Sequence, residues 1–260
     1  MKRYMKQLGI CLFALCIGVL FTRCEKDHLM IGVEEVQKPE GDGICGTVTD
    51  KDGNVYDVVK LGNQEWMAQN LRTTKYADGT SIPLGSSTSA TTAYRYCPNN
   101  SSSNVYKYGY LYNWKAVMRN SSSSYSNPSH VQGICPNGWH VPSDAEWTEL
   151  EDYVQSCSDY TSASGNVAKA LASTEDWNLS SNYGAVGDDR SKNNSTGFGA
   201  LPAGYYGGSY AEFGSYAYFW SATENNSFNA YNRALGYDYA GVSRAGNYKP
   251  LGFSVRCVRD

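Results

Sequence analysis

The chain has few of the residues that build metal centres and nucleic-acid surfaces. It contains three histidines in 260 residues, and none of its eight cysteines forms a C-x-x-C pair. A zinc ribbon or thioredoxin-like centre is therefore not expected. Beyond the first few residues lysine and arginine form no cluster. This argues against nucleic acid as a partner, because binding phosphates requires concentrated positive charge.

Familiar catalytic motifs are also missing. The sequence has no G-x-S-x-G, no H-E-x-x-H and no phosphate-binding glycine loop, which would mark hydrolases, metalloproteases and nucleotide enzymes. Paired carboxylates of the glycosidase type are left open, because the fold rather than sequence spacing brings them together. We therefore expect that the protein has no enzymatic activity and binds no cofactor.

The first 23 residues have the pattern of an export signal. Basic residues precede an uncharged, mostly apolar run over residues 8–21, which is short for a membrane span. The run ends in LFTRC, which resembles a loose bacterial lipobox with Cys24 as the lipidated residue. We therefore expect an outer-membrane lipoprotein exposed at the cell surface. Simple secretion and an uncleaved anchor are the alternatives.

The segment after the signal is interpreted as a tether. Cleavage of residues 1–23 removes four basic residues and changes the formal net charge from -3 to -7. Residues 24–43 are charged, contain Pro39 and end in a glycine-rich step, as flexible linkers do. The folded domain is predicted over residues 44–260.

Five cysteines remain beyond Cys24, and an oxidising exterior predicts one or two disulfides with at least one free thiol. They are Cys45, Cys97, Cys135, Cys157 and Cys257. The sequence by itself leaves their pairing open.

Alternating apolar and polar residues over 45–66 predict a β-meander. Asp50, Asp52 and Asn54 faintly resemble a calcium loop, but the glycine is misplaced and no glutamate closes it, so a hairpin turn is favoured. A structural calcium ion is left open without a supporting motif. Residues 108–118 and the segment after Asn166 are predicted as short helices.

From Gly197 onward, glycines and aromatic residues alternate, which predicts short strands joined by long loops. The sequence predicts only a few helices beside these short strands, so the expected fold class is α+β.

GWHVPSDAEWTEL (138–150) predicts a helix start. With Ser143 as N-cap, Glu146 lies at N3 and completes a capping box. Trp147, Leu150 and Val154 form an apolar face, and the remaining acidic residues, Glu149, Glu151 and Asp152, are expected to point mostly to water. His140 is predicted to be structural, because the chain supplies few partners for metal or base chemistry.

Several segments resemble, in order, motifs of the Fibrobacter succinogenes major paralogous domain. They are VTDKDGNVYDVVKLGNQEWMAQNLRTTKYADGTSIP (48–83), YGYLYNWKAV (108–117), GICPNGWHVPSDAEWTEL (133–150), GFGALPAGYY (197–206), FWSATE (219–224) and GFSVRCVRD (252–260). The resemblance implies an exported bacterial protein, often a lipoprotein, and no established biochemical role.

A more distant similarity is to the sulfatase-modifying, formylglycine-generating enzymes, whose fold is C-type lectin-like. Val141 to Trp147 and Gly252 to Cys257 look like two elements of that superfamily. The resemblance implies a C-type lectin-like fold and a Cys135–Cys257 disulfide. Those enzymes need a reactive pair of nearby cysteines in the C-terminal part. After Cys157 this chain has only Cys257, so their activity is not expected.

Tyrosines after Gly197 are the predicted ligand contacts, because tyrosine combines rigid apolar area with a hydroxyl group. The candidates are Tyr205, Tyr206, Tyr210, Tyr216 and Tyr218. The competing interpretation places most of these rings in the core. We therefore expect a non-catalytic binding module for a polysaccharide or surface protein, with a structural or adhesin-type subunit as the alternative.

Overall fold

The computed structural model describes residues 42–161 and 165–259. The predicted signal peptide, the lipidation residue Cys24 and the tether up to residue 41 lie outside this part. In the described residues, no helix is long and apolar enough to cross a bilayer.

The described chain combines twelve strands with four α-helices. The helices are α1 (Val105–Tyr108), α2 (Trp114–Met118), α3 (Asp144–Ser156) and α4 (Val167–Leu171). The strands are β1 (Gly43–Thr49), β2 (Val55–Leu61), β3 (Gln64–Met67), β4 (Arg95–Tyr96), β5 (Leu111–Asn113), β6 (Tyr205–Tyr206), β7 (Tyr210–Ala211), β8 (Tyr216–Glu224), β9 (Asn229–Gly236), β10 (Ser243–Tyr248), β11 (Gly252–Phe253) and β12 (Val258–Arg259). This architecture confirms the α+β class.

The named strands form three antiparallel sheets, with orders β1-β2-β3-β12, β10-β9-β8 and β4-β5-β11-β6-β7. The predicted meander corresponds to β1, β2 and β3. Its first turn is a hairpin in which the Asp50 carboxylate accepts the backbone N–H groups of Asp52 and Asn54. The Asp50 carboxylate therefore closes a turn, as the hairpin interpretation predicted.

Two sequence predictions need correction. Residues 108–118 are not one helix, because Leu111–Asn113 pair with β4 and β11 before α2 begins. Asn113 ends the strand and caps α2, with its side-chain oxygen accepting the Ala116 N–H at 3.0 Å. The region after Gly197 also contains the longest strands of the described residues, β8 and β9, joined by the short turn 225–228. Its strands are thus not uniformly short.

The β8–β9–β10 sheet lies between two apolar clusters. Trp220 and Ala222 of β8 belong to one cluster, and Ala217 and Phe219 belong to the other. Alternate residues of a strand point to opposite faces, so this strand packs on both sides. The second cluster includes Trp147 of α3.

A disulfide joins Cys135 to Cys257, with 5.9 Å between the Cα atoms and a sequence separation of 122 residues. The pairing implied by the family resemblance is confirmed. Cys45, Cys97 and Cys157 are free thiols, which agrees with the expectation of one or two bridges and at least one free thiol.

Candidate functional site

An aromatic groove lies at one end of the β8–β9–β10 sheet. It has a volume of about 250 Å³. Its lining comes from the loop before β4, the start of α2, the β8–β9 turn and the end of β10, and consists of Ala90, Trp114, Lys115, Ser227, Phe228, Tyr248, Lys249 and Pro250. We refer to this set of residues as the aromatic groove.

Local hydrogen bonds explain why Phe228 faces solvent. The Asn226 side-chain oxygen accepts the N–H groups of Phe228 and Asn229 at 2.9 and 3.0 Å. This Asx-type turn fixes the backbone between the strands and leaves the Phe228 side chain outside the core. Phe228 is 68% exposed, and Tyr248 across the groove is 52% exposed.

Trp114 belongs to the fixed part of the groove. It is the first residue of α2, and its indole N–H donates to the Ser221 carbonyl at 2.9 Å. Only 8% of the residue is exposed. The groove therefore combines a tryptophan fixed by a hydrogen bond, Trp114, with the exposed rings of Phe228 and Tyr248.

Lysine ammonium groups add positive charge to this aromatic surface. Lys249 Nζ lies 4.7 Å from the Trp114 ring centroid and donates to Glu224 Oε1 at 2.7 Å and to the Ser227 carbonyl at 3.0 Å. Lys115 lines the same groove. The arrangement suits a ligand that presents an apolar face together with hydroxyl or carboxylate groups.

The predicted ligand tyrosines do not form one patch. Tyr206 is only 4% exposed, stacks on Tyr96 with centroids 4.1 Å apart and donates to the Ser86 carbonyl. Tyr210 packs beside it at 4.9 Å. These contacts place Tyr206 in the framework and leave little of its ring for a ligand.

Tyr205, Tyr216 and Tyr218 are half-buried. The Tyr218 ring stacks on Tyr216 and on Phe253, at centroid distances of 5.6 and 4.8 Å, and its hydroxyl donates to Glu212. Tyr205 meets Tyr218 edge-on. Of these three, Tyr216 also lines a shallow depression of about 290 Å³ beside Asp238 and Tyr239.

A wider groove of about 880 Å³ runs between α3 and the β2–β3 turn. Its lining includes Asp42, Glu149 and Asp152. Asp42 accepts hydroxyl hydrogen bonds from Tyr153 and Tyr160, and burial followed by the bond to Asp42 raises the pKa of Tyr153. This carboxylate therefore has structural partners already.

His140 is held by the capping box of α3. The box is present, with Ser143 Oγ accepting the Glu146 N–H and Glu146 Oε2 accepting the Ser143 N–H. The other Glu146 oxygen contacts His140 Nε2. In the described parts of the chain, no three His, Cys, Asp or Glu side chains are grouped to hold a metal ion.

Two buried arginines were missed at the sequence level. Arg233 of β9 is 1% exposed and forms ion pairs with Asp144 and Glu151 of α3. Glu151 therefore does not point to water as expected, because β9 places a guanidinium against it. Burial raises the pKa of Glu151 although Arg233 opposes that shift.

Arg256 is fully buried and bonded to neutral oxygens. Its guanidinium donates to Asn70 Oδ1 and to the carbonyls of Met67, Phe198 and Gly199. Burial lowers its pKa, but arginine starts high enough to stay charged at neutral pH.

The aromatic groove was not predicted from the sequence, because the predicted ligand contacts were tyrosines alone. The available signal was NNSF (225–228). Asn and Ser favour a turn between two strands, and a phenylalanine placed in such a turn is expected to face solvent. Tyr248, the other exposed ring, belongs to the tyrosine-rich region that the sequence did indicate.

The family model of the Fibrobacter succinogenes major domain matches residues 59–259. No curated protein and no solved structure matches the chain. The match covers both flanks of the aromatic groove, the disulfide and the capped helix. The chain belongs to the Fibrobacter succinogenes major domain family.

Proposed function

We propose that the protein is a surface-exposed bacterial lipoprotein whose folded domain is a non-catalytic, glycan-binding module. The export pattern and Cys24 support the lipoprotein part. The family resemblance supports an extracytoplasmic role. The aromatic groove is the observation that carries the binding part.

We further propose that the domain is C-type lectin-like. Support comes from the disulfide that links the segment before α3 to the C-terminal segment, and from the similarity of Val141 to Trp147 to the sulfatase-modifying enzymes. The proposal does not extend to their chemistry. Cys257 is engaged with Cys135, so the pair of reactive cysteines on which that chemistry depends has no counterpart here.

The groove chemistry favours a saccharide. Phe228 and Tyr248 offer exposed ring area, and a sugar ring presents an apolar face of C–H groups to such a surface. The Lys115 ammonium group and the Ser227 hydroxyl group line the groove and can donate hydrogen bonds to hydroxyl or carboxylate substituents. Rigid aromatic rings lose little conformational entropy on binding, so a small groove can give measurable affinity.

The experiment is affinity electrophoresis of the full chain in gels that contain xylan, mixed-linkage glucan, mannan or pectin. At least one polysaccharide should retard the protein. Phe228→Ala combined with Tyr248→Ala should weaken that retardation by roughly tenfold or more, since each ring contributes about 1 kcal/mol.

Tyr183→Ala is the matched control, because Tyr183 is 91% exposed and does not line the aromatic groove. It should leave retardation unchanged. Retardation that survives the double substitution would move the site elsewhere. No retardation in any of the four gels would contradict glycan binding of this class.

A further inference from the structure

The β8–β9–β10 sheet has an open edge along β10. This strand pairs with β9 on one side, and no described residue pairs with its other side. Its six residues, SRAGNY, are exposed or half-buried. A strand in this position presents unpaired backbone N–H and C=O groups that fit another strand.

β10 lacks the features that usually protect an edge. Its register with β9 runs without interruption from Ser243 to Tyr248, whereas β1, at the edge of another sheet, has an irregularity between Ile44 and Gly46. β10 also contains no proline and no lysine. Bulges, prolines and charged side chains are the common means by which proteins prevent edge pairing.

The one charged residue of β10 is turned away from the edge. The Arg244 guanidinium bonds to both carboxylate oxygens of Asp144 and lies 3.9 Å from the Tyr231 ring centroid. Its charge is therefore paired on the α3 side of the sheet. The centre of the strand is formed by the small residues Ala245 and Gly246, and the Asn225 side chain packs over Gly246.

Only a polypeptide backbone supplies alternating donors and acceptors at the spacing of a strand, so a saccharide does not fit this edge. We propose that β10 pairs antiparallel with β10 of a second copy, about a two-fold axis through Ala245. The two three-stranded sheets then form one six-stranded sheet, and the interface is isologous.

The side chains are compatible with this register. In a symmetric pairing centred on Ala245, Arg244 lies opposite Gly246 of the second copy, so the two arginines do not face each other. Ser243 then meets Asn247, which allows a hydrogen bond. Val242 meets Tyr248, and pairs of β-branched and aromatic residues stabilise antiparallel sheets.

The inference is independent of the glycan-binding proposal, because β10 can pair whether or not the aromatic groove binds a saccharide. Both involve Tyr248, so the test uses Ala245, which does not line the groove.

Sedimentation equilibrium of the full chain in mild detergent should show a reversible dimer with a Kd of about 1–100 μM, as expected for a small interface. Ala245→Glu should raise this Kd at least about tenfold, because two like charges then lie opposite each other across the axis. Ala245→Thr, which is neutral and suited to a strand, should retain the dimer. Ile44→Glu on β1 should also retain it.

The register has its own test. In a Cys45→Ser background, Ala245→Cys should form a covalent dimer on mild oxidation, and the thermal unfolding of each variant should match that of the parent. A chain that stays monomeric up to about 100 μM, well above the Kd expected for a small interface, would overturn the proposal. A dimer that is insensitive to Ala245→Glu and gives no cross-link would overturn it equally.

Discussion

Glu146 connects the start of α3 to His140. One carboxylate oxygen contacts His140 Nε2, and the other accepts backbone N–H groups from Ser143 at 2.8 Å and from Ser129 at 3.0 Å. Glu146 is fully buried. The Glu146 carboxylate therefore has a structural role, because it links the start of the helix to the preceding loop.

Removal of this carboxylate should destabilise the domain. Glu146→Ala leaves two buried N–H donors and the His140 ring without their partner, which costs about 2–4 kcal/mol. The measurement is the free energy of unfolding in urea. Asp152→Ala, in the same helix but at an exposed position, should change that free energy by less than about 0.5 kcal/mol. Equal effects of the two substitutions would contradict this role for Glu146.

The Cys135–Cys257 disulfide should account for a large part of the stability. A bridge that spans 122 residues restricts the unfolded chain strongly, so Cys135→Ala with Cys257→Ala should cost about 3–5 kcal/mol by the chain-entropy estimate. Cys45→Ser removes an exposed thiol and should leave the unfolding free energy unchanged. A double variant as stable as the parent would show that the bridge contributes little.

The sequence predicted features that depend on local interactions or on family motifs. The β1–β3 meander, the Asp50 turn and the capping box each depend on residues a few positions apart. The disulfide spans the domain and came from the resemblance. The residues around 108–118 were assigned wrongly because β5 has only three residues, and its strand conformation depends on pairing with Gly252–Phe253 far along the chain.

The missed parts of the site all require contacts between distant segments. Nothing near Arg233 in the sequence indicates that it will face Glu151, 82 residues away. Arg256 is similar, because its oxygen partners come from two segments, 67–70 and 198–199, that both lie far from it in the sequence. The aromatic groove joins the start of α2 to the β8–β9 turn and the end of β10. The fold brings these distant residues together, and no local sequence pattern indicates that they will meet.

Buried tyrosines should make the domain sensitive to alkaline pH. Burial raises the pKa of Tyr76 to about 12, and its hydroxyl donates to the Ala116 carbonyl at 3.1 Å. In the unfolded chain a tyrosine ionises at about pH 10. Between these values the folded state keeps a proton that the unfolded state has lost, so the free energy of unfolding falls as pH rises.

Urea unfolding at intervals from pH 9 to pH 12 tests this effect. Stability should be fully present below about pH 10 and decline above it. Tyr56 and Tyr112 contribute in the same direction, because burial raises the pKa of each. Tyr76→Phe should make the decline less steep, whereas Tyr183→Phe should not. Identical slopes for the two variants would refute the assignment to Tyr76.

Lys169 holds the loop that follows Gly184. It is 8% exposed, and its ammonium group donates to the carbonyls of Ala185 and Asp189, each at 3.1 Å, and to that of Asp188. Burial lowers its pKa, and the charges of Asp188 and Asp189 oppose that shift. An ammonium group has three hydrogens and can donate to three acceptors. The buried ammonium group of Lys169 therefore holds three carbonyl groups of this loop close together.

Lys169→Met should release this loop, because the side chain keeps its apolar stem but loses all three donors. We expect a loss of about 1–3 kcal/mol, the usual cost of unsatisfied buried acceptors, and faster amide hydrogen exchange over residues 184–189. Lys192→Met is the matched control, since Lys192 pairs with Asp189 at the exposed surface of the same loop. It should change neither quantity. If both variants accelerate exchange to the same extent, surface charge rather than the buried ammonium group holds the loop in place.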